Sequence, residues 1–387
     1  MLAHIFDCCP FTEEEAGAIM NGKLILLILS MICLAGCADK EMKVPLEDVG
    51  MLGIMAFDYI DDDSYKLSAA MPQFLPEAKE NTQIFSVTTD FVSKGIVEIE
   101  TVSDKKVVLN QLRVVVFNEE FARNGNIQKV IKHLYRNAEV GNKVLVAVVK
   151  ENGEEILKEK YPDKPSINLY LNDLLQPSIN TAFMPNTNIH DFVYTQTNPV
   201  FDTIVPLLEK KEGKIEIEGV ALFKDNNMIE ELLPREGLII QALLGEKHLA
   251  PLNLTLNKGE EKEELMLDLI KNKVKMKSNK SIESPKLFIN LKMEGTLIEY
   301  KGEREDELTT LASITNLEKD INEQIEKDIE AFLEKLKKLN ADPVGLTENF
   351  RMHYGGNWDR EMTEEIISKL EVDIQVTTRI NGTGTLN

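Results

Sequence analysis

This 387-residue chain is poor in cysteine, and the four it has sit near its amino terminus, at Cys8, Cys9, Cys33 and Cys37. Removal of a leader ending at residue 36 would leave Cys37 alone. That excludes an internal disulfide and a thiolate metal centre in the mature protein. Roughly 350 remaining residues are long enough to build cores without such staples. Aromatic residues are scarce at 6 %, with one tryptophan, Trp358, which disfavours a sugar-binding cleft built by ring stacking. No apolar run reaches the roughly 20 residues of a membrane-spanning helix. Basic residues are outnumbered, 44 Lys and Arg against 65 Asp and Glu, for a formal net charge of −21. Such a surface lacks the cations that neutralise nucleic-acid phosphates, and taken as a whole it argues against adhesion to anionic lipid.

The catalytic repertoire is equally thin. There is no Walker A loop, GxGxxG, HExxH or GxSxG sequence. The one Gly-x-Gly, Gly382 and Gly384, has no helix after it. The mature histidines, His133, His190, His248 and His353, fall singly in different segments. Acidic pairs are too numerous to single out a glycosidase couple. Asp61-Asp62-Asp63 lacks EF-hand spacing and reads as a solvated turn. The expectation is a protein with no catalytic residues, no metal site and no cofactor.

What the sequence does have is Leu34-Ala35-Gly36-Cys37 at the end of an apolar run that begins at Leu24. The run is half the length of a membrane span and fits a signal-peptide h-region. Leu34, Ala35 and Gly36 suit signal-peptidase recognition, and Cys37 supplies the thiol for lipid attachment, the pattern of a bacterial lipoprotein. The acidic residues Asp7, Glu13, Glu14 and Glu15 do not suit a signal n-region, whereas Met20-Asn21-Gly22-Lys23 does. Residues 1–19 therefore read as a start-site extension. With an acidic chain, membrane attachment would rest on the acyl groups, each buried CH₂ adding about 0.8 kcal/mol.

Beyond the signal peptide (1–36), the pattern is α+β, in three sequential mixed sheet-and-helix domains. An N-terminal α+β domain is expected over 37–200. It starts with a polar tether, residues 38–48, and contains buried strands at Leu112–Phe117 and Val144–Val149 around the helical spacing of Glu119–Tyr135. A small middle domain spans 201–258, with a strand from Ile215 to Phe223 and a turn at Lys224–Asn227. A C-terminal α+β domain follows over 259–387. Its paired strands, Leu265–Met276 and Leu287–Met293, are joined by a polar turn, and alternation from Val372 to Ile380 completes the sheet. A long helix, 311–340, carries Leu317, Ile321, Ile325, Ile329, Phe332, Leu333, Leu336 and Leu339 at spacings of three or four, a stripe that must be covered.

Several stretches resemble the C subunit of spore germinant receptors, the Ger(x)C lipoprotein family. Cys37-Ala38-Asp39-Lys40-Glu41 is similar to its start, with Ala38 in place of the usual Trp. Glu120-Phe121-Ala122-Arg123-Asn124-Gly125 follows the strand Leu112–Phe117 as in the family. Glu218-Gly219-Val220-Ala221-Leu222-Phe223-Lys224-Asp225 and the region Lys337–Trp358, with Asp342-Pro343-Val344-Gly345, also match, as does the tail from Ile380 to Gly384. The resemblance implies a non-enzymatic, three-domain α+β lipoprotein on the outer face of the spore inner membrane. It would act with integral membrane A and B subunits in a complex that responds to small nutrients. Only Cys37 carries over as a functional position, and a direct small-molecule ligand is not implied. Two other readings compete: an extracytoplasmic solute-binding lipoprotein of an ABC transporter, built as two lobes around a cleft, and a lipid-anchored hydrolase.

Overall fold

Strands whose every residue is buried need cover on both faces, and the computed structural model supplies it for the central strands of a large sheet. It describes residues 44–73, 82–164, 166–176, 187–258, 261–308 and 310–382. The signal and lipidation positions Leu34, Ala35, Gly36 and Cys37 lie outside the described residues. Residues up to Asp48 form a unit of their own, in which Leu46–Asp48 is a single 3-10 turn, and Val49–Asn387 forms a second unit.

The second unit begins with β1 (Val49–Met51), β2 (Ile54–Tyr59), β3 (Tyr65–Pro72), β4 (Thr82–Thr89), α1 (Val92–Val102), β5 (Lys106–Val108), β6 (Val114–Asn118), α2 (Glu119–Asn124) and α3 (Ile127–Arg136). It continues with β7 (Leu145–Val149), α4 (Gly153–Lys158), α5 (Ile167–Leu175), α6 (Ile189–Thr197), β8 (Ile204–Lys211), β9 (Lys214–Lys224), β10 (Asn227–Leu232) and α7 (Pro234–Leu244). The last elements are β11 (His248–Leu249), β12 (Leu252–Lys258), β13 (Glu261–Ser278), β14 (Lys286–Lys301), α8 (Leu311–Leu339), α9 (Glu348–Arg351), α10 (Arg360–Lys369) and β15 (Glu371–Gly382). This is an α+β chain, as its pattern implies.

Eight strands form the first sheet, in the order β10-β9-β8-β7-β6-β2-β3-β4. β2, β6, β7 and β8 are parallel, and both flanks are antiparallel. Alternation sorts the side chains. Met55, Phe57, Val115, Phe117, Val146 and Val148 point to one side, where they meet Ile99 of α1, Phe121 of α2, Ile131 of α3 and Phe192 of α6. Ile54, Ala56, Val114, Val116 and Ala147 point to the other, against Ile156 of α4 and Leu171 of α5. Of the strands within residues 201–258, β8 to β10 extend this same sheet, whereas β11 and β12 join the second.

The second sheet has five strands, with β13 at its centre, β11 and β12 on one side and β14 then β15 on the other. β13 and β14 pair antiparallel and β15 runs parallel to β14. Among the described residues, only one face is covered. Leu287, Ile289, Leu291, Met293 and Leu297 of β14 are buried, while the residues between them are mostly exposed. α8 lies across the buried face with Leu317, Ile321, Ile325, Ile329, Phe332, Leu333 and Leu336 inward, and Leu339 partly so. Thr310 caps its start by accepting from the Ser313 amide, and Asn340, at a φ of 52°, ends it in the left-handed region. The stripe read from the sequence is therefore the stripe that packs.

α8 also closes the sheet's edge. The amides of Val376, Thr378 and Ile380, which face away from β14, donate to Glu326 Oε1 (2.8 Å), Asn322 Oδ1 (2.7 Å) and Glu318 Oε1 (2.8 Å). Four helical residues rise about 6 Å and two strand residues about 6.7 Å. A row at i, i+4, i+8 can therefore serve alternate amides of an adjacent strand, and the helix blocks the pairing that an open edge invites.

Two helices, α1 and α10, go beyond the elements that the local pattern announces. α1 reads Val-Ser-Lys-Gly-Ile-Val-Glu-Ile-Glu-Thr-Val, a β-branched composition. Its burial of Val92, Gly95 and Ile99, three and four apart, shows tertiary packing overriding propensity. Replacing Glu318 and Glu326 together with alanine should cost about 1 kcal/mol for each amide left without its acceptor. Urea unfolding checks the loss, and light scattering checks the increased self-association expected of an uncovered edge.

Candidate functional site

β2 is the point at which the chain changes direction in the first sheet. From β2 it moves outward through β3 and β4, then returns through α1 and β5 to lay β6 on the other side. In open sheets with parallel strands, a crevice forms outside the carboxyl ends of strands at such a switch point. Here a cleft of about 510 Å³ occupies that place, between the β2–β3 turn, the start of α1 and the first turns of α3.

Tyr65 and Phe121 line it from within, and a buried aromatic cluster stands behind them. Phe57 stacks on Phe117 at 5.2 Å, Phe117 meets Phe121 at 5.4 Å, and Tyr65 meets Phe121 edge-on at 5.7 Å. Burial, with Asp90 nearby, raises the Tyr65 phenol well above its ordinary range. The turn side is acidic. Asp61 Oδ1 accepts from the amides of Asp63 (3.0 Å) and Ser64 (2.7 Å) and from the Ser64 hydroxyl (2.9 Å), which holds its carboxyl below the usual range. Tyr59 donates to Asp62 at 2.7 Å. The Asp61–Asp63 run is thus a hydrogen-bonded exposed turn, in keeping with its sequence reading. The helix side is basic: Lys129 Nζ lies 5.2 Å from the Phe91 ring centre and makes no ion pair among the described residues.

His133 Nε2 lies 3.1 Å from Ser93 Oγ at the cleft rim. A nucleophilic serine needs a base that is itself oriented by a third group, and among the described residues no carboxylate bonds the other His133 nitrogen. The remaining histidines are elsewhere. His190 meets Tyr135 at 3.3 Å, His353 bonds the Asn349 carbonyl at 3.1 Å and His248 lies on β11. Among the described residues no group of His, Cys, Asp or Glu is placed to hold a metal. Chemically, the cleft can hold a small molecule that carries charge of both signs.

A second cluster joins the two sheets. Asp342, fully buried, follows the end of α8. Its carboxylate accepts from the Leu346 amide (2.8 Å), the Thr347 amide (2.9 Å) and the Thr347 hydroxyl (2.8 Å). Its own amide donates to Asp202 Oδ2 at 2.7 Å, and the Asp202 amide returns to the Asp342 carbonyl at 3.0 Å. Asp202, just before β8, is also paired with Arg360 of α10. Gly345 sits at a φ of 72°, where a Cβ would meet the Phe201 ring at 2.4 Å. Lys224 at the end of β9 donates to the Asn340 carbonyl at 3.0 Å and pairs with Glu364 at 2.9 Å. Sequence reasoning singles out Asp342, Gly345 and Lys224 as motif positions without showing that they meet. In β9, Gly219 has the Leu232 carbonyl oxygen 2.3 Å from where a Cβ would stand, so only glycine admits β10 there.

The motif residues therefore occupy joints, and they do so in the order a particular family has them. Residues 42–210 match the family model "Spore germination protein N-terminal domain", and residues 218–384 match "Spore germination B3/ GerAC like, C-terminal". The chain belongs to the Ger(x)C family. Among its curated relatives are "Spore germination protein GerQC" of Bacillus cereus, 25 % identical over 94 % of this chain and 99 % of the relative, and "Spore germination protein B3" of Bacillus subtilis (strain 168), 23 % identical over 94 % and 98 %. A solved structure, "Crystal Structure of the GerBC protein", matches with a TM-score of 0.57 at 18 % identity, covering 84 % of this chain and 96 % of that one, which shows the shared fold. The Ger(x)C proteins are germinant receptor C subunits, and this chain carries both halves of the family's pattern.

Burial pushes the Asp342 carboxyl up to about 6, against the pull of its three donors. A carboxyl raised above its unfolded value of about 3.9 contributes stability that is full below pH 4 and is lost as pH rises through 6. Asp342→Asn should remove that part of the pH dependence. It should also cost about 1–3 kcal/mol at pH 7, because Leu346 and Thr347 donate to different oxygens of the carboxylate and one of these becomes an N–H₂ donor in asparagine. Urea midpoints measured from pH 4 to pH 7 on both proteins check the two effects.

Proposed function

We propose that this chain is a membrane-anchored, non-catalytic subunit of a nutrient germinant receptor, acting in spore germination with integral membrane A and B subunits. The observation that carries the reading is the pair of adjacent family matches, 42–210 and 218–384, that together take in nearly all of the described fold. The lipobox Leu34-Ala35-Gly36-Cys37 directly before them supports an extracytoplasmic, lipid-held protein on the spore inner membrane, attached through Cys37. Residues 38–48 can reach no more than about 40 Å when fully extended, so the tether keeps the folded unit close to the bilayer. The three-part division 37–200, 201–258 and 259–387 stays a proposal about folding modules, alongside a first sheet that runs across residue 200.

A solute-binding protein closes two lobes over its ligand, whereas the strands here form one large sheet covered on both faces and one sheet covered by a long helix. That contrast favours the receptor-subunit reading.

A tagged copy recovered from detergent-solubilised spore membranes should bring with it a multi-spanning transporter-like protein and a second, partly soluble subunit, both identifiable by mass spectrometry. Recovery of a permease and an ATPase instead would turn the assignment to solute transport. Cys37→Ala should shift the protein from the membrane to the soluble fraction and slow the response to one nutrient class. A strain lacking the gene that germinates normally with every nutrient would overturn the reading.

A further inference from the structure

The outer face of the second sheet departs from the charge of the rest of the chain. With α8 on the inner side, the side chains that point outward from β13, β14 and β15 are exposed. Lys271, Lys273, Lys275 and Lys277 stand in a row along β13, and Lys292 of β14 and Arg379 of β15 join them. On the same face stand Glu294 and Asp373 beside these cations, and Glu264, Asp268 and Glu299 towards the other end of the sheet, where Lys262 and Lys301 accompany them. None of the five lysines makes an ion pair among the described residues. Lys273 and Lys292 are direct cross-strand partners, and like charges so placed repel and destabilise a sheet. Phe288, 49 % exposed, lies among them opposite Lys277. A chain of net charge −21 thus presents a concentrated cationic face.

We propose that this face docks flat against anionic phospholipid headgroups. The proposal rests on the membrane-anchored reading, which keeps the folded unit within tether reach of a bilayer. Several features favour lipid over an acidic protein. Protein interfaces are depleted in lysine and anchored by tryptophan, tyrosine and arginine, and the stretch at residues 271–277 offers mostly lysine, the hollow of this face lying at its other end among Asn253, Thr255, Glu264 and Glu299. Lysine ammoniums act as point charges, which suits a diffuse layer of phosphates, whereas arginine suits paired recognition of single carboxylates. Strand addition at β15 is blocked by Glu318, Asn322 and Glu326. An exposed Phe288 can enter the headgroup boundary. The acidic residues on other surfaces are screened beyond about 8–10 Å at physiological salt, so net charge does not cancel a local cationic face. Docking here would present a fixed orientation of the first sheet and its cleft to membrane-embedded partners.

The test uses residues 38–387, which hold all three buried clusters, with no acyl anchor. The protein is sedimented with vesicles of phosphatidylcholine alone, or with phosphatidylglycerol as one lipid in three. Binding is expected only to the anionic vesicles at low salt, and should be lost at high salt. Replacing Lys271, Lys273, Lys275 and Lys277 together with glutamine should weaken it roughly a thousandfold, while Lys129→Gln on α3, which packs on the other sheet, should leave it unchanged. An unaltered far-UV spectrum and urea midpoint show that the variant folds, and the pair Lys275→Gln with Lys277→Gln serves if it does not. Equal binding to neutral vesicles, or undiminished binding by the variants, overturns the proposal. So does capture of poly-glutamate without binding to anionic vesicles, which would assign the face to an acidic protein. No anchor or receptor subunit is present in this assay, so its failure leaves the receptor reading standing and is distinguishable from failure of the membrane pull-down.

Discussion

The second sheet has one apolar face, and a long helix, α8, crosses it, joined in the same buried cluster by Leu238 and Leu243 of α7 and by Ile366 and Ile367 of α10. That single constraint, the packing of α8 across β13, β14 and β15, governs the edge, the open face and the joint to the first sheet. Each fully buried leucine, isoleucine or phenylalanine on the stripe contributes roughly 1.5–3 kcal/mol of apolar burial, and seven are buried. Because the helix must lie along the sheet to bury them, its flank falls beside β15, and Glu318, Asn322 and Glu326 meet the edge amides. Because the chain has no further helix for the opposite face among the described residues, that face remains open, and its lysines stay in solvent. Cover on one side, closure at the edge and exposure on the other side are consequences of one placement.

The end of α8 then fixes how the two sheets meet. Asn340 breaks the helix in the left-handed region, and Asp342 turns inward to gather the amides of Leu346 and Thr347, while its own amide donates to the Asp202 carboxylate and its carbonyl accepts from the Asp202 amide. A buried carboxylate is costly unless its lone pairs are filled, and here all its close partners are donors from its own loop. Arg360 answers Asp202 across the same joint. The hydrophobic cluster under α8 continues into Val220, Leu222 and Leu232 of the first sheet, so the polar clasp sits at the margin of a shared core. The positions that carry the family pattern, Gly219, Lys224, Asp342 and Gly345, are those where backbones come close or the two sheets are tied. That distribution fits a protein that holds surfaces in a fixed relation.

The proposed membrane role draws on the same geometry. A lipid on Cys37 with a short tether would restrict the folded unit to the vicinity of a bilayer, and an open cationic sheet face would give it a preferred side to present. The cleft at the switch point of the first sheet would then lie on a body oriented by two weak restraints acting together, a lipid chain and a set of lysines, where each alone would leave it free to turn.

Periodicity alone is enough to read the buried strands β6 and β7, the α8 stripe and the alternation of β15. In each case the pattern of burial is local and repeats along the chain, and the short apolar run ending at Cys37 is legible for the same reason. Local pattern leaves α1 unannounced, because its composition is β-branched and only the sheet beneath it selects residues three and four apart for burial. The alternating lysines from Lys271 to Lys277 are visible as a signal, but their meaning depends on which face of the sheet is covered, a fact held by α8 roughly fifty residues further on. The cleft and the Asp202–Asp342–Arg360 clasp cannot be read at all, because their members come from segments far apart in sequence. The sequence by itself determined the strands β6 and β7, the α8 stripe, the alternation of β15 and the family. The tertiary structure alone decided which residues converge and which face is left bare, since both depend on long-range packing that no local period encodes.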